Sequence, residues 1–164
     1  EWADAVVIGP GLAEPEEEAV REFVSETRTP LVIDADAIEP SVEADVSGAI
    51  FTPHKQELKP VPGNIVDSET VVVRTGAEDK VFTEDKTYTG VLGSSAMTVG
   101  GTGDVLTGII ASLLSQKYCS FTFSEAARLG VWLNGKAGEK AEEEYWIGAL
   151  ATDMIEEIPG LLRG

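Results

Sequence analysis

One cysteine, Cys119, and one histidine, His54, are the chain's whole supply of the two side chains that most often build disulfides and transition-metal sites. A lone cysteine excludes an internal disulfide and fits a reducing, cytoplasmic setting. One histidine among scattered acids is too little for a zinc centre. Positive charge is equally scarce: 12 Lys and Arg stand against 29 Asp and Glu, for a net charge of −17. With no basic patch or run, sequence-independent nucleic-acid binding is excluded. The same acidity means that a phosphate-bearing ligand is not drawn in over distance, so binding one needs a local device such as converging backbone N–H groups. No apolar run approaches a membrane span. No secretory signal pattern is visible, and "EWADAVVIGPGL" reads as a strand already under way. The loop G-x-x-x-x-G-K-[ST] is absent, which disfavours the P-loop class.

What is present is a single domain, residues 1–164, long enough to bury a core. "DAVVIG" (Asp4–Gly9) reads as a buried strand delivered into a Gly-Pro-Gly loop. A helix follows with Pro15 at its start and Val20, Phe23 and Val24 as its core stripe. "PLVIDADA" (Pro30–Ala37) and "SGAIFTPHKQE" (Ser47–Glu57) read as the next two strands, and "TVVVRTG" (Thr70–Gly76) as another. Strand, helix and strand with short connectors predict βαβ units and a mostly parallel sheet flanked by helices. "KVFTEDKTYTGVL" predicts a hairpin turning at Glu84-Asp85. Beyond it the chain becomes helical, with a capping box at "TFSE" (Thr122–Glu125). A stripe of mostly small residues follows, Ala127, Gly130, Val131, Asn134, Gly138 and Ala141, that predicts a close packing seam. The last helix is expected to be capped by Thr152 and to stop at Pro159.

The strongest chemical signal is "MTVGGTGDVLTGIIASLL", Met97 to Leu114. Gly100, Gly101 and Gly103 permit positive φ and clear side chains from above a helix start, where unpaired N–H groups and the helix dipole favour an anion. Asp104 at that junction has two readings. It is a favourable first-turn acid, or it is a base on a substrate hydroxyl held beside a bound phosphate. His54, just past a strand in "TPHKQE", is either surface decoration or a ligand contact at the strand ends where open α/β sheets bind. Asp34 and Asp36 could hold Mg²⁺, orient a ligand or cap the next helix. "GPGL" (Gly9–Leu12) lacks the spacing of a dinucleotide fingerprint, and "RTGAED" (Arg74–Asp79) suits a nucleotide contact or an ordinary turn.

Taken in order, "VVIGPGL", "LVIDADAI", "TPHKQEL", "MTVGGTGDVLTGIIASLL", "EAARLGVWLNGKAG" and "ALATDMIEEIP" resemble successive blocks of the ADP- or ATP-dependent NAD(P)H-hydrate dehydratases, members of the ribokinase-like superfamily. The resemblance implies a ribokinase-like layered fold and repair of hydrated NAD(P)H. The hydroxyl of the hydrate takes the terminal phosphoryl group of ADP or ATP, with Mg²⁺, and phosphate is then eliminated. It implies that Asp104 is the catalytic base and contacts the substrate. Gly101, Thr102 and Gly103 would form the anion hole for the nucleotide, and Gly11 and His54 would touch the hydrated dinucleotide. Thr75, Gly76, Ala77, Glu78 and Asp79 would lie along the nucleotide. A homo-oligomer is also implied, with neither nucleic acid nor membrane as partner. The alternatives kept open are a ribokinase-like kinase acting on a vitamin precursor or sugar, and a non-catalytic nucleotide-binding fragment.

The chain departs from the family pattern in four places. The family's lysine falls on Thr75, with Arg74 one place earlier on the opposite strand face. Its asparagine-rich loop reads "GVLGSSAM", with Gly90 and Ser94 where asparagines are usual. About two βα units that open the family's domain have no counterpart. A helix between the "TPH" loop and the next strand is replaced by "LKPVPGNIVDSE". An incomplete domain, with an unpaired sheet edge and exposed apolar surface, is therefore expected.

Overall fold

The structure, a computed structural model, describes residues 2–13, 17–44, 46, 48–54, 65–67, 69–76, 78–90 and 95–163. Six strands form one sheet in chain order: β1 (Val6–Ile8), β2 (Leu31–Ile33), β3 (Ala49–Phe51), β4 (Thr70–Arg74), β5 (Asp79–Phe82) and β6 (Thr87–Gly90). The first four run parallel, with Val6 opposite Leu31, Leu31 opposite Ala49 and Ala49 opposite Thr70. β5 and β6 close the sheet as the antiparallel hairpin that the sequence predicts, its turn pinned by Thr83 N–H to Lys86 C=O at 3.0 Å.

The strands are apolar on both faces because helices cover both. Leu31, Ile33, Ala49, Phe51 and Val72 pack towards α1 (Glu17–Glu26) and α2 (Ile38–Val42). Val32, Ile50, Val71, Val73 and Val81 point the other way, to α3 (Thr102–Leu114) and α4 (Phe123–Tyr145). α5 (Ala151–Leu161) lies against α4. The period of two along each strand divides the core into these halves. Val20 and Val24 of α1 are buried as expected, but Phe23 is not: it is 42% exposed. The predicted start at Pro15 lies outside the described residues, as do residues 55–64. Among the described residues β1 has a strand neighbour only on its β2 side, and Val7 is partly exposed there.

The small-residue stripe of α4 is a packing seam. A Cβ on Gly130 would stand 2.5 Å from Ile110 Cγ1, and one on Gly138 would stand 2.6 Å from Met97 Cγ. The capping box is complete: Thr122 Oγ1 accepts from Glu125 N–H at 3.2 Å, and the Glu125 carboxylate accepts from Thr122 N–H at 2.9 Å. That charge-stabilising donation holds the Glu125 carboxyl below its ordinary range. Thr122→Ala is expected to lower stability by about 1 kcal/mol, read as a shift in the denaturant midpoint with an unchanged slope.

The last helix corrects both of its predicted ends. Thr152 lies inside α5, and the cap comes from Asp153, whose carboxylate accepts from Leu150 N–H at 2.7 Å. Pro159 also lies inside, with the helix running on to Leu161. In the last turn a missing N–H removes a single ladder bond, and the turn still closes through Leu162 N–H to Ile158 C=O at 3.3 Å.

These contacts place the glycine-rich turn. Gly48, just before β3, lies against Phe123 at the start of α4, while Gly90, at the end of β6, lies against Val131. α4 therefore climbs from the N-terminal edge of the parallel strands past their C-terminal edge, and Gly138 stands about 10 Å beyond Val131. Ile110 of α3 meets Gly130 and Met97, just before α3, meets Gly138, so α3 descends antiparallel to α4. Its first turn therefore overhangs the C-terminal edge, on the side of β1 and β2, against which α3 packs.

Candidate active site

Four strand ends meet along that edge. β1 delivers Gly9-Pro10-Gly11, β2 delivers Asp34, β3 delivers Thr52-Pro53-His54, and β4 delivers Thr75-Gly76. Hydrogen bonds step across them: Asp34 N–H to Ile8 C=O at 3.0 Å, Thr52 N–H to Ile33 C=O at 3.0 Å and Thr75 N–H to Pro53 C=O at 3.2 Å. His54, exposed, forms a parallel bridge with Thr75. Ligand contacts predicted from distant parts of the sequence thus fall on one rim, where parallel sheets bind ligands.

Two features of this rim escape a reading of the sequence. Thr52, almost fully buried, donates its hydroxyl to Asp34 Oδ1 at 2.8 Å and so orients the carboxylate over the edge. Asp34 makes no side-chain cap to the helical turn that follows, which removes the capping alternative. The second feature is Gly9, at φ 122°: a Cβ there would stand 1.7 Å from the Asp34 carbonyl oxygen. Ala35, next to Asp34, is held at φ 46°, a left-handed conformation that a side chain disfavours. "VVIGPG" signals a turn, but no local pattern discloses which strand passes so close.

The overhanging turn has Gly101 as the N-cap of α3 at φ 94°. The first helical bond is Val105 N–H to Gly101 C=O at 3.0 Å, so the N–H groups of Thr102, Gly103 and Asp104 precede the ladder. Thr102 turns its hydroxyl back to Met97 C=O at 2.9 Å, which pins the preceding turn to the helix start. Cβ atoms on Gly100 or Gly103 would meet nothing within 4 Å, so the space above the N–H groups is open. Asp104 is exposed, and among the described residues its carboxylate has no hydrogen-bond or ion-pair partner. The plain capping reading of Asp104 therefore finds no capping bond. Beyond it a groove of about 320 Å³ runs between α3 and α5, past Gly108 and Ile155.

The segment after β4 is shaped from within. Asp79 is 6% exposed and accepts Gly76 N–H at 2.9 Å, closing the turn, while Glu78 is exposed and pairs with Lys80 at 3.2 Å. Ala77 lies outside the described residues. Arg74 shares the strand face of Val72, and its guanidinium lies over the Phe82 ring at 5.8 Å, on the α1–α2 side of the sheet. It therefore points away from the face that Thr75 shares with the glycine turn.

Burial pushes the Asp79 carboxyl above its ordinary range, and the Gly76 hydrogen bond pulls it partly back. A raised value in the folded state means that the folded chain holds this proton more tightly. The resulting stabilisation is complete below the ordinary carboxyl range and is lost as pH rises through the raised value. Asp79→Asn keeps an acceptor for Gly76 and cannot ionise. Its melting temperature relative to the parent is expected to rise from about pH 4 towards neutrality. A difference that does not change with pH would contradict this.

Among the described residues no three His, Cys, Asp or Glu side chains gather as a metal cage. Single carboxylates, Asp34 at the rim and Asp104 at the turn, are the donors offered. That set fits Mg²⁺ carried on nucleotide phosphates, which keeps several waters and takes one or two carboxylates. Also among the described residues, no helix is long and apolar enough to cross a membrane.

Comparison with known proteins bears on the family and the fold. A family model described as NAD(P)H-hydrate dehydratase matches residues 1–160. The ADP-dependent (S)-NAD(P)H-hydrate dehydratase of Natrialba magadii is 44% identical over 99% of this chain, and the chain spans 65% of that relative's length. An ADP/ATP-dependent NAD(P)H-hydrate dehydratase from Bacillus subtilis, co-crystallised with ATP/Mg²⁺, superposes with a TM-score of 0.79 at 26% identity, over 98% of this chain and 64% of its own. A ribokinase-like superfamily protein from Enterococcus faecalis shares the fold, with a TM-score of 0.82 at 22% identity over 98% of this chain and 63% of its own.

Proposed function

The chain belongs to the NAD(P)H-hydrate dehydratase family, and on that premise we propose that it uses ADP or ATP to dehydrate hydrated NADH or NADPH. The observation that carries this reading is the exposed Asp104, without a side-chain partner among the described residues, beside the ladder-free N–H groups of Thr102 and Gly103 that overhang the strand-end rim. The terminal phosphates rest on the N–H groups of Thr102 and Gly103 in the clear space left by Gly100 and Gly103. The Thr75–Asp79 segment runs along the rest of the nucleotide, and Gly11 and His54 contact the hydrated dinucleotide.

Asp104 takes the proton from the hydrate's hydroxyl as its oxygen attacks the terminal phosphorus. An O–P bond forms, and the nucleotide leaves one phosphate shorter. The phosphate ester then eliminates: its C–O bond breaks, a proton leaves the neighbouring carbon, and the dihydronicotinamide double bond is restored. Asp34 and Asp104 are the side chains that would hold Mg²⁺ carried on the nucleotide, and the ion would supply charge neutralisation at the phosphates. The expected setting is cytoplasmic and the expected assembly a homo-oligomer.

A ribokinase-like kinase would use the same turn and the same base, and the two activities part after phosphoryl transfer. Phosphorus NMR of the chain with NADH hydrate, ATP and Mg²⁺ is expected to show inorganic phosphate growing with product. A stable phosphomonoester accumulating in its place would favour the kinase.

A further inference from the structure

The buried side chains of α3 are apolar with one exception. Val105, Leu106, Ile109, Ile110 and Leu113 belong to the core, and among them stands Thr107, 1% exposed. Its hydroxyl donates to the carbonyl oxygen of Asp104, three residues back, at 2.9 Å. For stabilising a helix this is a poor choice. The helical ladder already gives the Asp104 carbonyl the N–H of Gly108, so the hydroxyl adds a second bond to the same oxygen. Threonine is a weaker helix former than alanine or leucine, and such back-bonding slightly bends and destabilises a helix. A valine of the same shape would bury a methyl in place of the hydroxyl and leave no polar atom without a partner.

What the bond holds is the peptide that carries Asp104. The carboxylate itself is exposed and has no hydrogen-bond or ion-pair partner among the described residues, so its place over the turn is set by the backbone beneath it. That backbone is clamped on both sides. Before it, the Thr102 hydroxyl ties the helix start to Met97 C=O at 2.9 Å. After it, Thr107 is the one side chain, among the described residues, that bonds the main chain of Asp104. We infer that Thr107 is a positioning residue for the base. Its hydroxyl fixes the tilt of the Asp104 peptide, and with it the direction from which the carboxylate meets the substrate's hydroxyl. This role rests on the reading of Asp104 as the base proposed above. Thr107 is sealed beneath α3, touches neither substrate nor nucleotide, and acts only through Asp104. A misplacement of about 1 Å at a reacting group costs on the order of 10²-fold in rate, so a bond that removes part of that freedom has a measurable effect.

Steady-state kinetics and thermal melts of four variants separate this role from a structural one. Thr107→Val keeps the shape and removes the hydroxyl. Its kcat is expected to fall about tenfold, with KM for the nucleotide unchanged within about twofold and a melting temperature no lower than the parent's. Thr107→Ser keeps the hydroxyl and loses the methyl. It should hold kcat within about threefold of the parent while melting about 2–4 °C lower. Rate and stability thus move in opposite senses, which a packing role would not produce. In the Asp104→Asn background, Thr107→Val should cost no more than about a further twofold, because no base is left to aim. Thr107→Val at the parent's rate, a loss that Thr107→Ser shares, or a tenfold loss repeated in the Asp104→Asn background would overturn the inference and leave the base in place. Asp104→Asn as fast as the parent would overturn the reading of the base, and the role of Thr107 with it.

Discussion

Asp104→Asn is expected to lower the rate of nucleotide-driven dehydration by about 10²–10⁴-fold, or about 3–5 kcal/mol of transition-state stabilisation. Stability should change by no more than about 1 kcal/mol, the scale of a first-turn acid on a helix dipole. The separation follows from the structure. The carboxylate is exposed, receives no capping hydrogen bond and has no ion-pair partner among the described residues, so folding makes little use of it. Asparagine keeps the shape and loses the ability to take a proton. Steady-state kinetics with a parallel thermal melt checks both halves. A variant that keeps its rate and loses stability would return Asp104 to the role of an ordinary first-turn acid.

The second large effect is on folding. Gly9→Ala would place a Cβ 1.7 Å from the Asp34 carbonyl oxygen and 3.2 Å from Ala37 Cβ, at φ 122°. Asp34 cannot move aside without losing its N–H bond to Ile8 and the link from its carboxylate to Thr52. A loss of about 3–5 kcal/mol is expected, or about 6–20 °C in melting temperature for a chain of this size. Gly11→Ala, two residues on, is the control. Gly11 also has a positive φ, 72°, but a Cβ there would meet nothing within 4 Å, so only about 1–2 kcal/mol of conformational strain is expected. Equal effects at the two positions would show that the close approach of β1 to Asp34 is not what holds this rim together.

Patterns confined to one element were legible in the sequence. The small-residue seam of α4, the capping box at Thr122 and Glu125, the hairpin turning at Glu84-Asp85 and the parallel order of the early strands all stand as expected, because each rests on local periodicity or local hydrogen bonds. Phe23 broke its helical stripe: Val20 and Val24 are buried in the core, whereas Phe23 is 42% exposed. Pro159 did not stop its helix because a proline in the last turn has only one bond to remove. The candidate site divides the same way. The glycine turn and Asp104 could be read from composition at a helix start. The Thr52–Asp34 hydrogen bond, the closeness of Gly9 to β2 and the aim of Arg74 away from the turn depend on which strands lie side by side. No stretch of a few residues encodes that.

The measurement that bears most directly on the whole account is recovery of dihydronicotinamide absorbance from NADH hydrate by this chain, with and without nucleotide. Recovery is expected to require ADP or ATP with Mg²⁺ and to release one phosphate for each dihydronicotinamide restored. No recovery with either nucleotide, or recovery that proceeds equally without one, would contradict it.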